Sequence, residues 1–537
     1  MDRRLFLHLS GAGAMLAGLP GAMPGLAAPP PDANWDRGQL LHLLPTVSDR
    51  EILIKASFAA PLTVAPTLRV GGRVGALAVP GQMSDSRSEM WQFHARGLNP
   101  GRRYQLALMA GGRAGRPLCQ PWELATFPAP DARPERARVL FFTCAGGHDA
   151  LGFLPATWRN RLLRRALSFQ PDAAIANGDH VYWDLRSPLT SGRLGASSEA
   201  RQIAGQPDRA AAILGADNET FLKRAATPQI VPVYGTDFRS TPVFFIQDDH
   251  DYFENDDAYD EIVTFPADHF MTQMARATQS LYYPEFLPDT TRPAGLPGAS
   301  SAGRALPVSE SFGTLRYGQL LEVLLYTVRR TMTMAGPGAV FLEDTIEAWL
   351  KARMAASGVA HVVNAPSNPP GWTAGKWGEW YPDVLGADGK LTVAKAKPYW
   401  QPGWAKQHDR LLAAMSAMRE RVPLVISGDL HACALGRIQQ TGTTELMANP
   451  VVAVLSGPIG TGERGWPSNV RKIGPQPSLH LRVEEQVKPI EQHGFTLADF
   501  TPEKVTLRLF KWDVRTQAPE AMDTLEPFHT VVLARPA

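Results

Sequence analysis

The chain has 537 residues, more than one hydrophobic core usually spans, so we expect two or three domains. Its 54 Lys and Arg residues nearly balance its 52 Asp and Glu residues, leaving a formal charge of +2. This balance excludes the strongly basic composition typical of nucleic-acid-binding proteins. A hydrophobic content of 44% and a charged content of 20% are typical of a soluble globular protein. Three cysteines, Cys119, Cys144 and Cys433, allow at most one disulfide bridge.

The N-terminus has the composition of an export signal. Arg3 and Arg4 precede a mildly apolar stretch that prolines interrupt, which makes it a poor membrane-spanning helix. The small residues Gly25 and Ala27 suit cleavage by signal peptidase, and the order Arg-Arg-x-Phe-Leu resembles a twin-arginine signal. We therefore predict a signal peptide over residues 1–28, the twin-arginine translocon as export partner, and a periplasmic or secreted protein without a stable membrane anchor. The alternative is a basic disordered tail.

Residues 35–128 are expected to form a small all-β domain. Short runs of strand-forming residues are separated by Gly, Pro and Asn turns; the clearest runs are 51–56, 67–70 and 91–95. A tight turn at 97–101 precedes the strand that begins at Tyr104, as in immunoglobulin-like or fibronectin-like sandwiches. The proline-rich segment 128–134 is the expected linker to the next domain.

From residue 136 to 537 the pattern changes to alternating strands and helices. The expected strands are 139–142, 173–176, 243–246, 323–325, 361–363 and 424–426, and the expected helices are 157–169, 267–282, 341–356 and 404–420. This alternation predicts an α/β domain with two sheets between layers of helices, a four-layer αββα sandwich. Residues 256–305, which contain one of these helices and a tail rich in Pro and Gly, are expected to be an insertion near the site.

Four of the expected strands end in side chains that bind metals. Such polar groups cannot remain in an apolar core, so they must emerge at the strand ends, where α/β proteins assemble their sites. The four groups are Cys144; Asp179 with Tyr182; Asp248, Asp249, His250 and Asp251 with Asn255; and Asp429 with His431. Each group alone is weak, since a Gly-Asp pair is often a turn and a buried cysteine is often only packing. Four such groups in succession indicate a single site.

An oxygen-rich set, Asp179, Asp249 and Asp429, suits a divalent cation of the calcium or manganese type. Two cations about 3.5–4 Å apart clamp the attacking and leaving oxygens of a phosphoryl transfer and lower the pKa of bound water to about 7. The sequence therefore predicts hydrolysis of phosphate esters by attack of a metal-activated hydroxide.

A second set places a thiol, a phenol and an imidazole around the shared Asp179. Its members are Cys144, Tyr182 and His431. Thiolate and phenolate are strong anionic donors, which favour a trivalent ion such as Fe(III) over zinc. His250 is the expected general acid, because its unperturbed pKa of about 6.5 suits proton transfer near neutral pH. The alternative for His250 is a structural role in a pair with Asp251.

Together these motifs resemble those of the PhoD-type alkaline phosphatases of the calcineurin-like metallophosphoesterase superfamily. The resemblance runs from Leu40 to about Leu533 and is carried by segments 97–104, 142–144, 178–182, 248–251 with Asn255, 428–431 and 493–502. It implies a metallophosphoesterase fold, hydrolysis of small phosphate mono- and diesters outside the cytoplasm, an iron(III) plus calcium site and twin-arginine export.

The resemblance also assigns residues. It carries Cys144, Asp179, Tyr182 and His431 over to iron, Asp179, Asp249 and Asp429 to calcium or another divalent cation, and Asn255 to a polar position beside the catalytic pair His250 and Asp249. The sequence departs from the family at residues 326–330, Tyr-Thr-Val-Arg-Arg, where Leu-Asp-Thr-Arg is frequent. The missing aspartate leaves one contact that supports the site open, although Arg329 or Arg330 could still reach a substrate phosphate. Asp251 also stands where the family often has a glutamate.

Two alternatives stay open at this point. One is an envelope- or carbohydrate-binding protein whose catalytic domain has degenerated. The other is a phospholipase-like diesterase on the same scaffold.

Overall fold

The computed structural model describes residues 28–32, 34–71, 76–111, 115–183, 203–205, 207–252, 267–287, 312–330, 332–333, 338–356, 358–375, 381, 383–394, 402–462 and 465–536. The predicted signal peptide, apart from its last residue, lies outside the described residues, as does Asn255. Among the described helices, none combines the length and the apolar character needed to cross a membrane.

The first part of the chain forms two small antiparallel sheets. Its strands are β1 (Leu40–Val47), β2 (Ile52–Phe58), β3 (Pro66–Val70), β4 (Leu77–Pro80), β5 (Gln82–Met83), β6 (Met90–Ala95), β7 (Arg103–Ala110), β8 (Arg116–Pro117) and β9 (Trp122–Ala125). One sheet has the order β1-β2-β6-β5, and the other has the order β4-β3-β7-β8 with β9 also paired to β7. Buried residues of both sheets, such as Ile54, Phe93 and Leu108, belong to one apolar cluster.

The rest of the chain supplies two larger sheets and the helices. The strands are β10 (Ala137–Phe142), β11 (Ala173–Asn177), β12 (Val243–Ile246), β13 (Phe312–Tyr317), β14 (Leu321–Tyr326), β15 (His361–Pro366), β16 (Val384–Leu385), β17 (Leu391–Thr392), β18 (Leu424–Ser427), β19 (Cys433–Thr441), β20 (Thr444–Glu445), β21 (Val451–Ser456), β22 (Leu481–Ile490), β23 (His493–Thr501), β24 (Lys504–Trp512) and β25 (His529–Ala534). The helices are α1 (Ala156–Ser168), α2 (Asp217–Tyr234), α3 (His269–Tyr282), α4 (Asp344–Ala355), α5 (Pro402–Ser416) and the short α6 (Pro467–Val470). The fold is therefore mixed α/β.

The six-stranded sheet has the order β12-β11-β10-β23-β24-β25, and its first three strands are parallel. The eight-stranded sheet has the order β13-β14-β15-β18-β21-β19-β20, with β22 paired to β19. Parallel strands joined by helices align their carboxyl ends along one edge of a sheet, which is where the polar residues of this chain emerge.

The two faces of the central strands pack differently. On β10, Val139 and Phe141 join an apolar cluster that also contains residues of the eight-stranded sheet, whereas Leu140 and Phe142 join the cluster that contains the helices. This alternation follows from the two-residue period of a strand. Because both faces are covered, the strand is apolar from Val139 to its end at Phe142.

Most elements expected from the sequence are present, with shifted ends. The helix expected at 341–356 begins only at Asp344, and the one expected at 404–420 runs from Pro402 to Ser416. Helix α2 was not predicted at all, because Pro228 and Pro232 lie inside it and interior prolines normally end a helix. Its buried face packs against α1 and against strand β1. This burial compensates for the backbone hydrogen bonds that the two prolines cannot donate.

The N-terminal sheets contact the rest of the molecule through a buried histidine. His42 of β1 lies with its Nδ1 2.6 Å from Ser57 Oγ and its Nε2 2.7 Å from the carbonyl oxygen of Tyr282, at the end of α3. Burial lowers the pKa of His42 to about 4. The unfolded chain takes up a proton at this residue below about pH 6.5 and the folded chain does not. The folded state therefore loses stability as the pH falls from 6.5 towards 4.

We predict that His42→Gln removes part of this acid sensitivity. The free energy of unfolding is measured by denaturant titration at pH 7.5 and at pH 4. Between these two pH values it should fall by about 3 kcal/mol more in the wild type than in the variant. The matched control is His269→Gln, a change at an exposed position, which should keep the wild-type difference. Equal pH dependence in wild type and His42→Gln would contradict the prediction.

Candidate metal centre

The predicted site residues meet at one edge of the two large sheets. Cys144, Asp179 and Asp249 follow the parallel strands β10, β11 and β12, and Asp429 follows β18 of the other sheet. Asn177, the last residue of β11, joins the two sheets at this edge: its Nδ2 donates to the carbonyl oxygens of Pro366 (2.9 Å) and Ile426 (3.3 Å). The strand ends of both sheets therefore converge on the same region.

Four of these residues have a left-handed backbone conformation. The φ angles are +50° at Cys144, +58° at Asp179, +69° at Asp429 and +49° at His431. Non-glycine residues rarely adopt such angles, and each costs on the order of 1–3 kcal/mol, so they persist where the surrounding structure holds them in place. The sharp turns direct these side chains away from their strands and towards one another.

Glycines next to the aspartates allow the loops to approach closely. A Cβ atom added at Gly178 would lie 2.5 Å from Cβ of Asp248, and one added at Gly428 would lie 2.1 Å from Thr143 Oγ1. The Gly-Asp pairs seen in the sequence are therefore turns, and they also lie at the site.

The soft donors surround Asp179. Its Oδ2 lies 3.2 Å from Cys144 Sγ and accepts a 3.1 Å hydrogen bond from the hydroxyl of Tyr182. The Tyr182 hydroxyl is also 3.0 Å from Nε2 of His431, whose Nδ1 lies 2.8 Å from the carbonyl oxygen of Gly465. A donated Nδ1–H fixes the tautomer and leaves Nε2 as the free donor atom, as in metal-binding histidines.

The carboxylates form an adjoining cluster. Ligand atoms of Asp248, Asp249 and Asp429 all lie within 4.8 Å of one another, and so do those of Asp179, Asp249 and His250. Oδ1 of Asp179 and Oδ2 of Asp248 are buried and accept no hydrogen bond from the described residues. Buried oxygens of this kind need compensation, and the cluster fits hard cations such as Ca²⁺.

Burial changes the protonation of these groups. It raises the pKa of Asp179 well above its ordinary range, and nearby carboxylates add to the shift although His250 opposes it. Burial also raises the pKa of Asp248, which the Arg329 guanidinium partly offsets. The pKa of the Cys144 thiol is raised well above its usual value by burial and by Asp179, and burial lowers the pKa of His431 to about 4. Bound cations would reverse the shifts of the three acidic groups, because metals bind their deprotonated forms.

Asp251 organises the backbone behind the site. Its Oδ2 accepts the N–H groups of Asp179 (3.0 Å) and Asp248 (2.8 Å), and its Oδ1 accepts those of His180 (2.8 Å) and Val181 (3.2 Å). Both oxygens are thus engaged with backbone amides, so Asp251 ties together the turns that carry Asp179 and Asp248.

The ring of His250 packs on Tyr182. Their centroids are 4.2 Å apart with 34° between the ring planes. His250 therefore lies beside the phenol that contacts Asp179 and His431, and one of its ring nitrogens is within 4.8 Å of carboxylate oxygens of Asp179 and Asp249. Asn255, its predicted polar neighbour, is outside the described residues.

The sequence reasoning missed Asn368. This buried residue follows β15, and its Nδ2 lies 3.5 Å from Asp429 Oδ2. The predicted strand 361–363 stopped three residues short of β15, which runs to Pro366. Only the longer strand places the polar pair Ser367-Asn368 at a strand end, where the rule that identified the other four groups applies.

Arg329, one of the two arginines considered for the substrate phosphate, lies at the acidic cluster. Its Nε donates to Asp248 Oδ1 at 3.1 Å, and the residue is only 3% exposed. A buried guanidinium beside a buried carboxylate compensates charge within the protein. Arg329 therefore supports the acidic cluster.

One protein family and two solved structures are similar to this chain. The family model for PhoD-like phosphatases matches residues 141–509. A solved structure described as the structure of PhoD is 13% identical, with a TM-score of 0.59, over 95% of this chain and 92% of that chain. The purple acid phosphatase PPD1 from yellow lupin (Lupinus luteus) seeds is 11% identical, with a TM-score of 0.53, over 93% of this chain and 75% of that chain.

No curated protein matches the sequence. The two structural likenesses concern the fold, whereas the family match spans most of the chain and includes every described site residue. That match supports a metal-dependent phosphoesterase, and the chain belongs to the PhoD-like phosphatase family.

Proposed function

We propose that the protein is an exported, metal-dependent phosphoesterase that hydrolyses phosphate monoesters, diesters or both. The observation that carries the proposal is the position of Asp179, which is shared by the soft donors on one side and the carboxylate cluster on the other. Its Oδ1 is buried without a hydrogen bond from the described residues, so this carboxylate would serve as a ligand for a cation in each of the two donor sets.

The donor set divides between two ions. Cys144, Asp179, Tyr182 and His431 would hold Fe(III), and Asp179, Asp249 and Asp429 would hold Ca(II) or another divalent cation. Asp248 lies within ligand distance of the second group. When bound, the two cations supply an activated water and neutralise the charge that develops on the phosphoryl group.

Side chains of the protein supply the proton for the leaving group and position the metal ligands. His250 is the general acid that gives its proton to the departing oxygen of the ester, and packing against Tyr182 fixes the plane of its ring. Asp251 holds the backbone of the Asp179 turn through its hydrogen bonds to amide groups. Asn255 is proposed as a further polar group beside His250 and Asp249.

The finer architecture is part of the same proposal. Residues 35–128 form an immunoglobulin-like or fibronectin-like sandwich, and residues 136–537 form a four-layer αββα metallophosphoesterase domain. The alternation of inner and outer apolar clusters along β10 supports the layering. Residues 1–28 are a twin-arginine signal peptide, and the protein acts in the periplasm or outside the cell on small phosphate esters.

Replacing the shared carboxylate should abolish activity without unfolding the protein. Asp179→Asn should lower kcat/KM for an aryl phosphate by about a thousandfold or more, because it removes a ligand of both cations. The control is Asp172→Asn, directly before the other end of β11, where a carboxyl that is also buried accepts a hydrogen bond from the backbone N–H of Arg138. The control should stay active. Full activity in Asp179→Asn would contradict the assignment of two cations.

The metal content of the protein can be measured directly. Elemental analysis of the exported protein should find iron and a second cation, and a tyrosinate–iron(III) contact should give a visible absorption band. Tyr182→Phe should abolish that band, while Tyr283→Phe, at a buried tyrosine bonded to Gln247, should retain it. Protein that contains neither iron nor a second cation would contradict the assignment.

Asn368 should support the divalent site. We expect Asn368→Ala to raise the Ca²⁺ concentration for half-maximal activity by roughly 10- to 100-fold, as is usual when a group that orients a metal ligand is lost. The iron content should be unchanged, because Asn368 contacts Asp429 and not the soft donors. An unaltered Ca²⁺ requirement would argue against this role.

The substrate class separates the phosphatase from the phospholipase-like alternative. Turnover of an aryl phosphate monoester should be compared with turnover of its bis-aryl diester on the same metal-loaded enzyme. Hydrolysis of the diester alone would favour the diesterase, and binding of cell-wall polymer without hydrolysis of either ester would favour the binding protein.

A further inference from the structure

Helix α2 carries a fully buried glutamine, Gln229, that lies behind the soft donors and has no part in the chemistry proposed above. Its Oε1 accepts hydrogen bonds from two backbone N–H groups, those of Gly147 and Tyr182, each at 2.8 Å. Gly147 follows Cys144 by three residues in the chain. One oxygen atom therefore joins the loop of Cys144 to the turn that carries Tyr182.

The amide nitrogen of Gln229 is engaged as well. Its Nε2 donates to the carbonyl oxygen of Tyr182 at 3.1 Å and to that of Ala225, one turn earlier in α2, at 2.9 Å. A glutamine amide offers two donor hydrogens and two acceptor positions on its oxygen, and all four are used here. Both partners of the oxygen are N–H groups and both partners of the nitrogen are carbonyl groups, so the surroundings fix which end of the amide is the oxygen.

Gln229 holds Tyr182 at two points. It bonds both the N–H and the carbonyl group of this residue, which restricts the backbone and fixes the direction in which the ring leaves the chain. At the far end of that ring, the hydroxyl lies 3.1 Å from Asp179 Oδ2 and 3.0 Å from His431 Nε2. A small rotation of the backbone would displace this hydroxyl the most, whereas metal ligands must be held within about 0.5 Å.

Other backbone hydrogen bonds join the same two loops nearer to their strands. The N–H of Cys144 donates to Gly178 at 3.1 Å, and the N–H of Gly146 donates to Asp179 at 2.9 Å. Gln229 adds the link at the end of the turn, where Tyr182 lies. Among the described residues, none of its hydrogen bonds reaches the carboxylates of the divalent set. Its direct influence is thus confined to the soft-donor side of the metal centre.

We propose that Gln229 positions Cys144 and Tyr182 for the trivalent ion and thereby controls the iron affinity of the centre but not its affinity for the divalent cation. The inference rests on the metal assignment proposed above and adds to it a residue that is not itself a ligand. Gln229 is a positioning residue, because it acts through the backbone of Gly147 and Tyr182.

The test replaces the amide with a side chain of similar length. In Gln229→Met, competition with the iron(III) chelator desferrioxamine should show an iron affinity about 10- to 100-fold below that of the wild type, as is usual when a group that orients a metal ligand is lost. The tyrosinate–iron(III) absorption band should shift, because the phenol is no longer held in place. The Ca²⁺ affinity of the iron-loaded protein, measured by calorimetry, should stay at the wild-type value.

The matched control is Gln407→Met in helix α5. Gln407 is also fully buried, and its Oε1 accepts the N–H groups of Phe341 and Leu342, both at 3.1 Å, while its Nε2 donates to the carbonyl oxygen of Leu342 at 2.6 Å. The control therefore loses hydrogen bonds of the same kind, but none of these partners is a candidate ligand. It should keep the wild-type iron affinity and absorption band.

Two results would overturn the inference. Wild-type iron affinity in Gln229→Met would mean that the amide does not position the ligands. An equal loss in Gln229→Met and Gln407→Met would mean that iron is lost through general destabilisation. Should Gln229→Met fail to fold, the pair Gln229→Glu and Gln407→Glu takes its place, because glutamate keeps an acceptor for both N–H groups. Iron affinity should then fall in the first variant alone, and wild-type affinity in that variant rejects the role.

Cobalt separates this inference from the assignment on which it rests. If the wild type holds no iron, the proposed iron site fails, and Co²⁺ added to the metal-free protein tests Gln229 alone through the absorption band of a cobalt–thiolate bond to Cys144. Gln229→Met should then need about 10- to 100-fold more Co²⁺ to reach half of the full band, and Gln407→Met should not. An equal Co²⁺ requirement in wild type and Gln229→Met, or the lack of a band in the wild type, rejects the role of Gln229.

Discussion

Asp179 and Asp248 bring negative charge into the interior of the protein, within a few ångström of two further carboxylates. An isolated buried carboxylate is so costly that it either takes up a proton or finds a positive partner. Arg329 is one such partner, bonded to Asp248, whereas burial, together with the neighbouring carboxylates, raises the pKa of Asp179 well above its ordinary range. Bound cations would allow all of these carboxylates to be ionised at the same time. The loops around the cluster hold the carboxylates close enough together for such binding.

The backbone at the site is held by interactions that have no direct part in ligand binding. Asp251 accepts amide hydrogen bonds from both the Asp179 turn and the Asp248 turn, which ties the ends of two strands together. The left-handed conformation at Asp179 is held by these hydrogen bonds to its own amide and to those of the next two residues. A preorganised frame lowers the cost of placing ligands around an ion, because little ordering remains to be done when the ion binds.

The N-terminal sheets are connected to the site through helix α3. His42 contacts the carbonyl oxygen of Tyr282, and Lys55, also buried, donates to the carbonyl oxygen of Ser280 at 2.8 Å. The same helix accepts a 3.1 Å hydrogen bond at Ala275 from Gln247, which directly precedes the acidic residues. The small sheets therefore brace the element against which the loop of Asp248 and Asp249 is packed.

Local sequence patterns determined much of this protein. Apolar runs of strand length followed by Asp, Cys, Tyr and His were enough to locate Cys144, Asp179, Asp249 and Asp429, because a buried strand cannot continue through charged residues. The partnership of Asp248 with Arg329 and the approach of Asn368 to Asp429 were decided only by tertiary structure. They join residues far apart in the chain, and no periodicity encodes which loops of two different sheets will meet. Helix α2 illustrates the same limit, since packing of its buried face outweighs two interior prolines that local propensity counts as breaks.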